Sequence, residues 1–242
     1  MKTELRDLTI GYRDGQHTAV EAHALNAAVE EGSLTCLVGR NGVGKSTLLR
    51  TMALFLPPLE GQVLFDGVDA STLSRHERAV KVGVVLTDRT DTDALTVREV
   101  VAMGRAPFTG FWGTLRTQDN EAVEEAMDVT GIAALADKRL SRISDGERQK
   151  VMTAKALAQQ TPFILLDEPT AFLDYPSKTA TLDMLRRLAH EHGKTIFLST
   201  HDLDIAMPMA DCVWLMDSDG LTVNPSAEQM KTLNYTFLRR EI

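Results

Sequence analysis

Cysteine is scarce: Cys36 and Cys212 are the only two in 242 residues. Both lie in apolar, strand-like runs, which predicts buried free thiols and leaves no disulfide framework or cysteine metal cage. Aromatics make up only 5% of the chain. Basic residues are outnumbered, 26 Lys and Arg against 34 Asp and Glu, for a net charge of −8. That balance argues against a broad nucleic-acid or anionic-lipid surface. No apolar run approaches the roughly eighteen residues that mark a membrane-spanning helix. The first seven residues, Met-Lys-Thr-Glu-Leu-Arg-Asp, hold no apolar stretch of the secretory-signal kind, so a cytoplasmic location is expected. Internal repeats and low-complexity tracts are lacking too. What remains is an ordinary globular composition, 43% hydrophobic and 25% charged, long enough for a sizeable core.

One stretch stands out. Gly39-Arg40-Asn41-Gly42-Val43-Gly44-Lys45-Ser46 reads G-x-x-x-x-G-K-S/T, the phosphate-binding P-loop. The apolar run 34–38 before it has strand character, and 46–53, with Thr47 in its first turn, reads as a helix. Glycines let backbone N–H groups close around phosphate oxygens, and the helix N-terminus adds a favourable dipole. Lys45 supplies a point charge for the β- and γ-phosphates, and the Ser46 hydroxyl is a ligand for Mg²⁺.

The flanking pattern is that of an α/β protein. Residues 5–12 and 20–29, joined at Asp14-Gly15, read as an antiparallel β-layer ahead of the P-loop strand. Residues 62–67 read as a strand ending in a tight turn, 71–80 as a short polar helix and 82–86 as a buried strand. Thr96-Val97-Arg98-Glu99 is a capping box, predicting a helix to about Met103 that Gly104 stops. The Pro/Gly-broken loop 105–113 holds Phe108, Phe111 and Trp112, which serve either local packing or docking. A helix over 120–130 buries Val123, Ala126 and Met127. Another over 148–160 opens behind Ser144-Asp145-Gly146-Glu147, an N-cap or an anion site. A helix over 177–191, a strand over 194–200, a late strand over 211–217 and a capped C-terminal helix from Ser226 through Met230 and Leu233 complete the chain.

Two acids carry the candidate chemistry. Phe163-Ile164-Leu165-Leu166 reads as a buried parallel strand, with Asp167 and Glu168 at its carboxyl end, where open α/β sheets bind ligands. Asp167 is placed to hold Mg²⁺, and Glu168 to polarise an attacking water. His201 ends the next buried strand beside the same site.

In this order the elements resemble the ATP-binding subunits of ATP-binding-cassette (ABC) transporters, over nearly the whole length. Residues 39–47 are similar to the Walker A motif. Ile143-Ser144-Asp145-Gly146-Glu147-Arg148-Gln149 is similar to the ABC signature, L-S-G-G-Q/E. Residues 163–167 resemble Walker B, with Glu168 at the catalytic-base position. Ala171-Phe172-Leu173-Asp174 resembles the D-loop, His201 the switch histidine, and Tyr12 the aromatic that stacks on adenine. The resemblance implies a single ABC ATPase domain over 1–242: a P-loop core with an N-terminal antiparallel β-layer (1–95 and 161–242) and a helical ABC-type insert (96–160). It further implies that two copies sandwich two ATP molecules head to tail. Ser144, Gly146 and Glu147 of one copy would reach the γ-phosphate held by the other, while His201 contacts it from within. Partner permease subunits in the membrane, and indirectly a substrate-binding protein, would put the chain on the inner face of the cell membrane. No nucleic-acid partner is expected.

A narrower resemblance rests on residues 96–107 and 110–115, which are similar to V-R-E-L-V-x-x-G-R-x-P and the aromatic loop of iron-chelate, haem and vitamin B12 importers. Two positions depart from the family. Thr87 stands where the Q-loop glutamine is expected, with Asp88 next, so Thr87 or Asp88 is the metal-side candidate there. Asp145 replaces the first signature glycine and brings a carboxylate toward the γ-phosphate. These departures motivate a catalytically weak regulatory or scaffold subunit as the alternative, beside a soluble non-transport ABC ATPase. A GTPase is disfavoured, since no N-K-x-D motif occurs.

Overall fold

The computed structural model describes residues 1–15, 17–86, 93–110, 113–171 and 173–226. Two sheets organise them. Strands β1 (Thr3–Asp14), β2 (His17–Val29), β4 (Glu60–Phe65) and β5 (Val68–Asp69) form an antiparallel layer in the order β2-β1-β4-β5. Strands β3 (Leu34–Gly39), β6 (Val82–Val85), β7 (Phe163–Asp167), β8 (Thr195–Ser199), β9 (Cys212–Asp217) and β10 (Gly220–Val223) form a second sheet, ordered β10-β9-β3-β8-β7-β6. It is parallel except for the edge strand β10. The helices are α1 (Lys45–Met52), α2 (Arg75–Lys81), α3 (Val97–Ala102), α4 (Thr117–Val129), α5 (Asp145–Ala158), α6 (Tyr175–His192) and α7 (Leu203–Met209).

The central parallel strands β3, β7 and β8 are buried along their whole length because both faces are covered. Successive side chains therefore enter different cores. Phe163, Leu165 and Phe197 join α1 and the antiparallel layer, while Ile164, Leu166 and Leu198 join the helices α3 to α6. Edge-on ring pairs, Phe197 with Trp214 at 4.9 Å and Phe65 with Phe163 at 6.3 Å, stiffen the first core. The expected hairpin at 66–67 is present: Asp66 (φ 50°) and Gly67 (φ 80°) join Phe65 to its partner Val68. Cys36 and Cys212 are free thiols, buried and half-buried; burial, with Asp211 and Cys212 nearby, pushes the Cys36 thiol up to about 12.

Several expectations need correction. The polar helix of 71–80 is split: a 3-10 turn over Ala70–Thr72 capped by Asp69, then α2, capped by a reciprocal Ser74–Glu77 box. The helix expected to about Met103 ends at Ala102, with Met103 as its C-cap, but the chain does not straighten at Gly104. The turn continues through Met103–Arg105, and glycine is required there because a Cβ would stand 2.1 Å from the Lys155 carbonyl oxygen of α5. Arg105 follows as a buried clamp: its guanidinium pairs with Asp119 at 2.9 Å, donates to the Ala158 carbonyl and the Gln160 amide oxygen, and covers the Phe108 ring at 4.1 Å. The late strand expected over 211–217 is present as β9; β10 follows it in a hairpin, and α7 arises where no element is assigned. Thr87, Asp88, Phe111, Trp112, Phe172 and the expected C-terminal helix with Met230 and Leu233 lie outside the described residues.

Candidate active site

The P-loop joins β3 to α1, and its glycines have separate reasons. Gly42 and Gly44 take positive φ, 78° and 106°. Gly39 lies so close to β9 that a Cβ would stand 2.3 Å from the Met216 carbonyl oxygen. Gly44 is the N-cap of α1 and offers no side-chain acceptor, so the first N–H groups of the helix stay available to an anion. Lys45 is buried and turns back into the loop, its Nζ donating to the carbonyls of Gly39 at 2.8 Å and Arg40 at 3.0 Å. Burial pulls the Lys45 ammonium down, against the opposing pull of Glu168 and Asp167. Tyr12 reaches across from β1, its hydroxyl 2.9 Å from Thr47 Oγ1, and leaves 40% of its surface exposed.

Both acids stand at the carboxyl end of β7, and the adjacent strand β8 brings Ser199 and His201 beside them. Asp167 is buried and accepts from Ser199 Oγ at 2.6 Å; the same Oγ accepts the Glu168 N–H at 3.0 Å. Register explains this, since Asp167 and Ser199 are paired residues of the ladder. Glu168 sits at φ 51°, a conformation L-residues avoid, which swings its carboxylate out to His201. The His201 Nδ1 to Glu168 Oε2 distance is 2.7 Å. Asp202 fixes the histidine's loop, accepting from Thr170 at 2.9 Å and Lys178 at 2.6 Å. Burial raises the Asp202 carboxyl, but its bonds to Lys178 and Thr170 and the nearby His201 outweigh this and hold it below the usual range.

Lys45, Ser46, Thr47 and Glu168 line one open cleft with Asn41, Gly42, Gly44 and Glu21. Ser199, Lys178, Asp202 and Glu21 were not singled out by sequence reasoning. The Asp167–Ser199 pairing would have been found by aligning the carboxyl ends of the two strands. Among the described residues no three His, Cys, Asp or Glu side chains form a ready metal cage. The Ser46 hydroxyl in the cleft and the Asp167 carboxylate at the end of β7 are hard oxygen donors of the kind Mg²⁺ takes, an ion that binds through few protein ligands and completes its shell with phosphate and water.

Ser144, Gly146 and Glu147 do not line this cleft. They open α5 as a capping box: Glu147 accepts from the Ser144 N–H at 2.8 Å and hydroxyl at 2.9 Å, and its own N–H donates back to Ser144 Oγ at 3.2 Å. Those bonds hold the Glu147 carboxyl low. Gly146 packs against Leu173, where a Cβ would meet the side chain at 3.0 Å. Asp145 is exposed in the first helical turn.

A sequence model of the ABC transporter family matches residues 22–171, which span the P-loop, the α5 capping box and both acids. The chain belongs to the ABC transporter family. It is 39% identical over 211 residues to an uncharacterized ABC transporter ATP-binding protein of Methanocaldococcus jannaschii, covering 87% of this chain and 71% of that one. To the ferric enterobactin transport ATP-binding protein of Escherichia coli it is 39% identical over 199 residues, 82% of this chain and 72% of the relative. A dimeric bacterial ABC transporter cassette superposes with a TM-score of 0.79 at 25% identity, covering 90% and 95% of the two chains. The two sheets and helices α3 to α5 are thus the P-loop core, β-layer and helical subdomain of an ABC ATPase. Among the described residues no helix is long and apolar enough to cross a membrane.

Proposed function

We propose that this chain is the Mg²⁺-dependent ATPase subunit of an importer for an iron chelate, haem or cobalamin, working as a head-to-tail dimer against partner permease subunits. The observation that carries the ATPase reading is the convergence of Lys45, Asp167, Glu168 and His201 at the carboxyl ends of three adjacent strands. The cargo class rests on residues 96–115 and on the ferric enterobactin relative.

In this reading the N–H groups of Gly44 to Thr47 and the Lys45 ammonium hold the phosphates. Ser46 and Asp167, with Thr87 or Asp88 as further candidates, hold Mg²⁺, which would supply charge neutralisation between the β- and γ-phosphates. Tyr12 stacks on adenine. Glu168 orients water for attack on the γ-phosphorus and takes its proton as the bond to the bridging oxygen breaks. His201 turns from Glu168 to the γ-phosphate. Ser144 and Gly146 of the second copy close the site, the Ser144 hydroxyl exchanging Glu147 for phosphate. Residues 96–160 form the helical subdomain that carries Ser144 to Glu147. Phe108 with Phe111, Trp112 and the 87–93 loop face the permease at the cytoplasmic surface.

The test is reconstitution with permease subunits and a substrate-binding protein of a chelate importer from the same genome, followed by ATP turnover against a panel of chelates. Stimulation by one siderophore, haem or cobalamin supports the reading. ATP turnover that no member stimulates overturns the cargo class.

A further inference from the structure

A carboxylate sits unexplained in the nucleotide cleft. Glu21 belongs to β2, on the antiparallel layer, yet it lines the same cleft as Gly42, Gly44 and Lys45. A bulge puts it there. Ile10 pairs with Ala22 and Gly11 with Val20, so one step along β1 matches two along β2, and Glu21 is the extra residue. Such bulges re-aim a side chain. Gly11 permits the close approach, since a Cβ there would stand 2.1 Å from the Ala19 carbonyl oxygen. Glu21 Oε2 comes within 3.0 Å of where a Cβ on Gly44 would lie. Glu21 is exposed, and among the described residues its carboxylate has no hydrogen-bond or ion-pair partner.

An anion beside a phosphate cradle opposes triphosphate binding unless it meets a donor on the same ligand. We infer that Glu21 accepts a hydrogen bond from a ribose hydroxyl and makes the cleft favour ATP over an analogue that lacks that hydroxyl. Placement gives the reason. The base lies against Tyr12 and the phosphates against Gly42 to Ser46, so the sugar must span the gap between them. Tyr12 pairs with Ala19, two residues from Glu21, which places the carboxylate beside that span. Ribose hydroxyls are the donors of a nucleotide nearest its phosphates, and a carboxylate accepting from them is a strong, charge-assisted contact. The inference rests on the nucleotide-site reading above.

The experiment is equilibrium calorimetry on the full chain with ATP, 2′-deoxyATP and 3′-deoxyATP, each with and without Mg²⁺. At least one deoxy analogue should bind about tenfold more weakly than ATP. Glu21→Ala should bring all three within about twofold of one another, and Glu21→Gln, which keeps an acceptor, should retain part of the preference. Circular dichroism confirms that both variants are folded. Equal binding of all three by the natural chain overturns the inference while leaving the nucleotide site intact. So does a Glu21→Ala variant that tightens all three alike, which would make the carboxylate a repulsive group only. Failure to bind any nucleotide overturns both readings.

Discussion

Nδ1 of His201 stands 2.7 Å from Oε2 of Glu168, so the two groups expected to act on water and on γ-phosphate hold each other. A contact that short to a carboxylate calls for the proton on Nδ1. It also keeps Glu168 occupied until the histidine has something else to bind. Nucleotide arrival would then free the base at the moment it is needed.

Glu168→Gln should lower ATP turnover by about 10²- to 10⁴-fold, because the amide cannot take the proton. ATP binding should persist, and dimers should accumulate in ATP. Steady-state phosphate release and size-exclusion chromatography in Mg²⁺-ATP read both effects. Full turnover in this variant would remove the role given to Glu168.

Lys178→Met should weaken the loop that carries His201. Asp202 has a folded-state pKa held below its unfolded value, so its contribution is complete above the unfolded pKa and is lost as pH falls through the folded one. The variant should therefore be less stable by about 1 kcal/mol at neutral pH, a figure reduced by solvent screening. Below the folded pKa of Asp202 the gap should narrow. Urea midpoints at the two ends of that range test it, and a gap independent of pH would exclude the Asp202 pair as its source.

Asp145→Asn should act in opposite directions on function and stability. Removing the charge relieves repulsion at the partner's γ-phosphate and should raise ATP-driven dimerisation by about three- to tenfold. It also removes a favourable charge from the first turn of α5, at a cost of about 0.3–1 kcal/mol. Sedimentation in ATP and a thermal melt measure the two.

Arg105→Lys should not substitute for the native residue. Its guanidinium spreads donors over Asp119, the Ala158 carbonyl and Gln160, and stacks on Phe108. An ammonium cannot reproduce that fan. The variant should melt several degrees lower, and hydrogen exchange should quicken in α4 and α5 ahead of the parallel sheet.

What the sequence disclosed is local chemistry. Gly39 to Ser46 and the boxes at Thr96–Glu99 and Ser144–Glu147 are contiguous, and each formed as its spacing requires. The buried parallel strands were legible because uninterrupted apolar runs leave few other solutions. Long-range roles were not. Arg105 gathers partners from positions 119, 158 and 160, and Gly104 is a glycine because of a carbonyl fifty-one residues away. Glu21 faces the cleft only through a register shift that no alternation pattern announces. Helix α7 carries Pro208 inside it, a residue that helix interiors disfavour, so no local pattern announces it.

The positive φ of Glu168 sets protein economy against activity. A glycine at that position would relax the backbone, a gain of about 1 kcal/mol, and would remove the carboxylate altogether. Any search for hardier versions of this molecule by thermal selection alone would drift toward Glu168→Gly and return a tougher protein that has stopped turning over.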